Sequence, residues 1–258
     1  MPVDYERTEN LAIIRLNDPA TLNALSVPIV ESLQEHFRRA ALEARAVLLC
    51  GAGRAFCSGW NLTTTEPDES GLKFDPGLVL ERRVNPLMQA LRNLPIPWVS
   101  AVQGASAGAG ASLALAADVI VAADNAYFLQ AFRRIGLVPD AGATWLLARA
   151  VGRVRAMELM LLGEKLPAPK ALEWGLITRC VPEAALQDTA LTVARDLAAG
   201  PTRALGMTRR AAWAAVERDF ATALEAERTL QTAAGETADF AEGVQAFLQK
   251  RPASFTGA

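Results

Sequence analysis

The sequence predicts an α/β fold in which short strands alternate with helices and the C-terminal part is helical. Two patterns carry this. Short runs rich in β-branched or purely apolar residues, at 10–16, 46–50, 98–102 and 118–122, are separated by stretches whose apolar residues recur at helical spacing. That alternation argues for connections that cross over the faces of a sheet. From Gly200-Pro201 onward no strand signal remains.

Residues 10–16 alternate as a strand does, and residues 17–25, with Asp18-Pro19, read as a turn-rich loop. Ser26 is placed to cap a helix with Pro28 in its first turn, and Ile29, Leu33, Phe37 and Ala40 line one face of that helix. The buried-strand run 46–50 is closed by Gly51-Ala52-Gly53 and the run 98–102 by Gly104. Between them, the polar stretch 61–78, marked by Pro67, Gly71, Pro76 and Gly77, reads as a mobile loop over a site. A helix is predicted over 79–94, stopped by Pro95 and Pro97. An alanine-rich helix over 106–117 and a strand over 118–122 follow. In the tail, helices are predicted over 205–216, 220–231 and 240–250, the last with Phe240, Val244, Phe247 and Leu248 on one face. The expected organisation is a core over 1–198 and a helical region over 199–258 that packs on its own core or on a neighbouring subunit.

Hydrophobic residues make up 51% of the 258 residues and charged ones 21%, the balance of a chain that folds around a core. Lysine plus arginine number 26 against 28 acids, so the net charge of -2 gives no footprint for nucleic acid or an anionic membrane. An anionic ligand must be met by a local patch. No apolar run approaches the roughly 20 residues that cross a bilayer, and residues 1–7 carry acids without an apolar signal segment. Three cysteines, Cys50, Cys57 and Cys180, form no C-x-x-C pair, which argues against disulfides and for a reducing, cytoplasmic setting. The single histidine, His36, removes most zinc sites and most histidine-dependent catalysis. No metal and no separate cofactor are expected, and the chemistry falls to carboxylates, hydroxyls or backbone groups.

Gly104-Ala105-Ser106-Ala107-Gly108 matches G-x-S-x-G between a strand and a helix, the context of a hydrolase nucleophile. A serine hydrolase built on Ser106 also needs a histidine after the serine, and none follows position 36. Gly108-Ala109-Gly110 would open a dinucleotide fingerprint only if position 113 were glycine, and it is Leu113; Gly51-Ala52-Gly53 fails in the same way at Phe56.

Four segments in order, and a fifth at the end, resemble the crotonase superfamily, the enoyl-CoA hydratase/isomerase family. They are Leu22-Asn23-Ala24-Leu25-Ser26, then Gly53-Arg54-Ala55-Phe56-Cys57-Ser58-Gly59, then Ala101-Val102-Gln103-Gly104-Ala105-Ser106-Ala107-Gly108-Ala109-Gly110, then Gly136-Leu137-Val138-Pro139-Asp140-Ala141-Gly142. The ending, Glu242-Gly243-Val244-Gln245-Ala246-Phe247-Leu248 with Lys250, Arg251 and Phe255, is also similar. The resemblance covers nearly the whole chain. It implies a spiral of repeated ββα turns with a helical C-terminal trimerisation region, an acyl-CoA substrate, and a homotrimer or a dimer of trimers.

Negative charge built on a thioester oxygen calls for preorganised N–H donors, each worth roughly 3 to 4 kcal/mol. Backbone donors come close only where side chains are small, as in Cys57-Ser58-Gly59 and Gly108-Ala109-Gly110. The resemblance implies that the donors are the N–H groups of Ser58 and Ala109. It places Ala55, Phe56 and Cys57 along the channel for coenzyme A, which enters as part of the substrate, and brings Asn61, Gly108 and Gly110 into the binding region. Arg54, Lys250 and Arg251 become candidates for the phosphates, the last two from a neighbouring subunit, with solvated surface charge as the other reading of each.

The two glutamates of the family's hydratases fall on Ser112 and Phe132, neither of which moves protons near neutral pH, so weak hydration is implied. Asp140 matches instead the carboxylate of the subgroup that moves double bonds or rearranges rings. Two readings stay open for it: a proton shuttle of raised pKa beside Phe132, or the N-cap of a helix over 141–150. Asn85-Pro86-Leu87 and Leu94-Pro95-Ile96-Pro97 resemble bacterial aromatic-degradation members that isomerise 1,2-epoxyphenylacetyl-CoA, and enoyl-CoA isomerisation would use the same residues. An acyl-CoA-binding member without turnover is the other outcome, since both glutamates are absent.

Overall fold

The computed structural model describes residues 2–64 and 75–258. The chain opens with an antiparallel hairpin, β1 (Val3–Thr8) and β2 (Leu11–Leu16), turned through Glu9 at φ 54°. The sequence reading missed β1, whose Glu6, Arg7 and Thr8 are exposed and hide the alternation. Helix α1 (Val27–Glu43) follows and buries Ile29, Val30, Leu33, Phe37 and Ala40, the face expected from spacing. Ser26 takes the extended N-cap conformation, but its hydroxyl makes no capping bond.

Strand β3 (Ala46–Gly51) is wholly buried. The helix predicted over 79–94 is broken up: α2 (Pro76–Val79), a π-helical turn (Leu80–Val84) and α3 (Asn85–Arg92). Pro86 accounts for the interruption, because it offers no N–H to the preceding turn and the backbone widens its hydrogen-bond register just before it. Then come β4 (Trp98–Val102), β5 (Ala105–Ala107), α4 (Ala109–Leu115), β6 (Val119–Ala123), β7 (Tyr127–Leu129) and the long α5 (Ala143–Leu162), kinked at Gly152. The order continues with β8 (Lys165–Pro167), α6 (Ala168–Glu173), β9 (Arg179–Val181), α7 (Leu186–Ala199), α8 (Thr202–Ala215), α9 (Phe220–Gly235) and α10 (Ala238–Leu248).

The expected helix over 106–117 needs correction. Residues 105–107 are a strand paired with β7, and the helix begins only after Gly108, at φ 51° and ψ −129°. Alanine favours helix locally, but pairing with two neighbouring segments overrides that weak preference.

The large sheet runs β1-β2-β3-β4-β6-β9 and is parallel from β2 onward; the small one runs β5-β7-β8. An isolated parallel bridge between Cys57 and Ser106 adds one further position to the small sheet. Each turn of the chain therefore lays a strand in the large sheet, a short strand or bridge in the small one, and then helix: β3, Cys57, α2–α3; β4, β5, α4; β6, β7, α5. This is a spiral of ββα turns.

Alternation along β3 and β4 sends Val47, Leu49, Trp98 and Val102 to the main core, with α1, α3, α4 and α5. Leu48, Cys50, Val99 and Ala101 go to the opposite face, which α7 covers with Leu186, Ala190, Ala194 and Ala198. After Val181 the described elements are all helical, and among the described residues no helix is long and apolar enough to cross a membrane.

Arg209 on α8 fastens the helical part to the spiral. Its Nε lies 2.8 and 2.7 Å from the two carboxylate oxygens of Asp118, and its Nη atoms donate to the carbonyls of Leu91, Arg92 and Leu94 at the end of α3. Arg209 is 5% exposed, and burial raises the pKa of Asp118 even though Arg209 pulls it the other way. A buried pair loses most when one partner is removed. Arg209→Met is expected to cost about 3 to 5 kcal/mol in urea denaturation, and adding Asp118→Asn should recover part of that loss.

Candidate active site

The site forms where two tight turns meet. Cys57 N donates to Ala105 O at 3.1 Å and Ala107 N to Cys57 O at 2.9 Å, so the turn after Cys57 and the turn after Ala107 are held side by side. Glycine is required at the contact. A Cβ on Gly110 would stand 2.6 Å from Cys57 Sγ, and one on Gly59 would stand 2.9 Å from Ala107 O. The first turn is also gripped from below by Asn23, whose amide donates to the carbonyls of Ala52, Ala55 and Phe56.

Ser58 is not the backbone donor the resemblance implied. Its N–H donates to Leu22 O at 3.0 Å and its hydroxyl to Thr21 O at 2.9 Å. Two residues on, the peptide between Gly59 and Trp60 turns its carbonyl toward Leu25, which donates to it at 2.7 Å. In a trans peptide the N–H points opposite to its C=O. The Trp60 N–H therefore faces away from Leu25 and donates to no described residue. Ala109 is the first residue of α4, and its N–H points out of the helix N-terminus with no intrahelical acceptor.

Trp60 and Ala109 line one cavity of about 250 Å³, together with Ser58, Gly59, Gly108, Phe132 and Asp140. Its apolar wall comes from Leu62, Val79, Leu80, Val84, Ile135 and Leu137. Sequence reasoning did not foresee Trp60 or that wall. The helical pattern over 79–94 was legible, but not the direction its apolar residues face.

Asp140 is not a helix cap. The N-cap of α5 is Gly142, and no helix N–H reaches the Asp140 carboxyl. Its Oδ1 is buried without a hydrogen-bond partner, and desolvation raises the group from its ordinary 3.8 to about 6. A carboxyl of this kind exchanges protons near neutral pH.

The other sequence candidates scatter. Ala55, Phe56 and Cys57, at 2%, 0% and 0% exposure, are core residues and do not line the cavity. Burial pushes the Cys57 thiol up to about 12, which keeps it inert. Gly110 serves the close packing on Cys57. Ser112, 0% exposed on α4, sits behind the cavity with its hydroxyl on Asp140 O at 3.1 Å. Arg54 and Lys250 are exposed and outside the cavity wall, and Arg251 pairs with Glu242. Asn61 turns its side-chain oxygen to Thr63.

Residues 65–74 of the expected loop lie outside the described residues; within its remainder, Asp75 caps α2. Ser106 is 0% exposed on β5, while the sole histidine, His36, packs on Tyr5 at 5.3 Å. The hydrolase reading therefore has neither an accessible nucleophile nor a base.

A spiral of ββα turns followed by a helical C-terminal part is the fold of the crotonase superfamily. The sequence profile described as "Enoyl-CoA hydratase/isomerase" matches residues 6–258. The chain belongs to the enoyl-CoA hydratase/isomerase family. It is 46% identical over 255 residues to a Rhodobacter capsulatus protein named "Probable enoyl-CoA hydratase", covering 99% of this chain and 98% of that one. It is 45% identical over 246 residues to the 1,2-epoxyphenylacetyl-CoA isomerase of Escherichia coli K12, covering 95% and 94%. Among solved structures, an enoyl-CoA hydratase from Bacillus anthracis superposes with a TM-score of 0.91 at 29% identity over 100% of both chains.

The raised pKa of Asp140 has a consequence for stability. The folded state favours the neutral carboxyl, so it binds more protons than the unfolded chain between the ordinary value of 3.8 and about 6. Stability contributed by the protonated form is lost as pH rises through that window. Asp140→Asn is expected to melt at a higher temperature than the wild type at about pH 7.5, with the gap closing below about pH 4 in calorimetric scans.

Proposed function

We propose that this chain is an acyl-CoA isomerase. The thioester oxygen sits between the N–H groups of Trp60 and Ala109, which stabilise the enolate, and Asp140 moves the proton. From a 3-enoyl-CoA, the Asp140 carboxylate takes a proton from C2; the electrons pass into a dienolate held at the oxygen. The resulting carboxylic acid returns the proton to C4, and the double bond moves into conjugation with the thioester. No metal or redox cofactor enters this scheme, because the charge is met by N–H dipoles and the proton stays on one carboxyl.

The observation that carries the reading is the desolvated Asp140 carboxyl, its Oδ1 without a hydrogen-bond partner, in the same cavity as Trp60 and Ala109, whose N–H groups donate to no described residue. Ser112 and Phe132 stand where hydratases of the family would need their two glutamates, and neither activates water. The likeness to the Escherichia coli isomerase, at 45% identity, favours a ring-rearranging substrate of the phenylacetate-catabolic kind as a second reading of the same residues.

Coenzyme A phosphates would be met by Arg54 and, from a neighbouring subunit, Lys250. We infer a homotrimer or a dimer of trimers working in the cytoplasm. Phe220 on α9 and Phe240 and Phe247 on α10 are 79%, 55% and 82% exposed, large apolar side chains that a monomer leaves in water.

Isomerisation of a 3-enoyl-CoA is expected to outrun hydration of crotonyl-CoA by a wide margin; hydration at roughly 10 per second or more would overturn the assignment. Asp140→Asn should lower isomerase turnover by about 100 to 10,000-fold and leave acyl-CoA affinity in place. In the wild type, activity should fall below about pH 6, where Asp140 becomes protonated. Binding without turnover in the wild type would instead mark a vestigial site. Light scattering should report three or six copies, and Phe247→Glu should drive the assembly toward monomer.

A further inference from the structure

Among the described residues no side chain bonds the Asp140 carboxyl, whose Oδ1 is buried without a hydrogen-bond partner, so its place depends on the backbone that carries it. That backbone is strained. Ala141 lies at φ 49° and Gly142 at φ 80°, and a non-glycine residue in the left-handed region persists only where its surroundings hold it. Two bonds hold the Asp140 carbonyl: Ala143 N donates at 2.9 Å and Ser112 Oγ at 3.1 Å.

Ser112 lies on α4, three residues after Ala109, and is 0% exposed. Its hydroxyl also lies 3.5 Å from Gly108 O. One side chain thus ties the turn that carries the carboxyl to the helix that carries a backbone donor. A hydroxyl has a single proton to give, and the shorter contact, to Asp140, takes it.

We propose that Ser112 is a positioning residue that sets the Asp140 carboxylate against the Ala109 N–H, so that the group moving the proton and the group holding the oxygen form one rigid unit. This rests on the reading of Asp140 as the proton carrier. Ser112 itself transfers no proton. Its bond fixes the separation between base and oxyanion donor, and a displacement of about 1 Å in such a geometry can cost on the order of 100-fold in rate. Binding is not its task, since both N–H donors are backbone groups that stand without it.

The test is a double-mutant cycle with Ser112→Ala and Asp140→Asn, followed by isomerisation of a 3-enoyl-CoA, binding of butyryl-CoA and thermal melting. Ser112→Ala is expected to lower kcat by about 10-fold or more, with KM and butyryl-CoA affinity within about two-fold of wild type. On top of Asp140→Asn, the same change should lower the residual rate no further, because a residue that acts through Asp140 has nothing left to act on. Ser112→Cys, close in volume and a weaker donor, should fall between the two and serves if the alanine variant does not fold. Equal rate losses with and without Asp140→Asn, a parallel loss of affinity, or a wild-type kcat in Ser112→Ala would overturn the proposal. Should Asp140→Asn alone keep the wild-type rate, the base assignment fails at that step, separately from the Ser112 result.

Discussion

Two backbone hydrogen bonds, from Cys57 to Ala105 and from Ala107 to Cys57, hold side by side the two turns on which the site is built. They join successive turns of the spiral at the point where each changes direction, and they allow so little room that a side chain on Gly110 would strike Cys57. Because the contact is backbone to backbone, the turns that carry the N–H groups of Trp60 and Ala109 are set against each other by main-chain bonds. Preorganised dipoles of this kind need no rearrangement as charge develops on a bound oxygen. Asn23 secures the same turn from the other side, so a residue remote from the cavity contributes to its shape.

Against that rigid frame, Asp140 is held at a thermodynamic disadvantage. Its carboxyl is desolvated, has no partner at Oδ1 and follows a proline at the start of a left-handed turn. A structural aspartate would be capped, paired or solvated, as Asp118 is by Arg209 and Asp75 is by the first turn of α2. The contrast between these aspartates is a difference of environment, not of residue type. Unrelieved desolvation in a cavity is the pattern of a working group and costs stability that the packed spiral around it can absorb.

Packing also explains which small residues matter. Gly59, Gly108 and Gly110 are small for overlapping reasons: a positive φ at Gly59 and Gly108, a close carbonyl at Gly59 and Gly110, and a neighbouring thiol at Gly110. In the sequence they look alike, as a pair of glycine-rich turns. The same ambiguity misplaced a backbone donor, since Ser58 and Trp60 are two residues apart on one turn and only the hydrogen bond to Leu22 tells which N–H is taken.

What the sequence determined by itself was whatever local pattern encodes: the buried strands at 46–50 and 98–102, the apolar face of the helix after Ser26, the helical tail and the family motifs, Asp140 among them. Periodicity and turn residues act over a few positions, so they are readable without partners. Only the tertiary structure decided that residues 105–107 are strand and not helix, because their partners, Cys57 and β7, are far away along the chain. It also decided that Trp60 faces the cavity while Phe56 and Cys57 face the core, and that Asp140 is left uncapped beside Ser112. Each of these depends on which backbone groups are already bonded across the fold, and a hydrogen bond between distant segments leaves no period in the sequence.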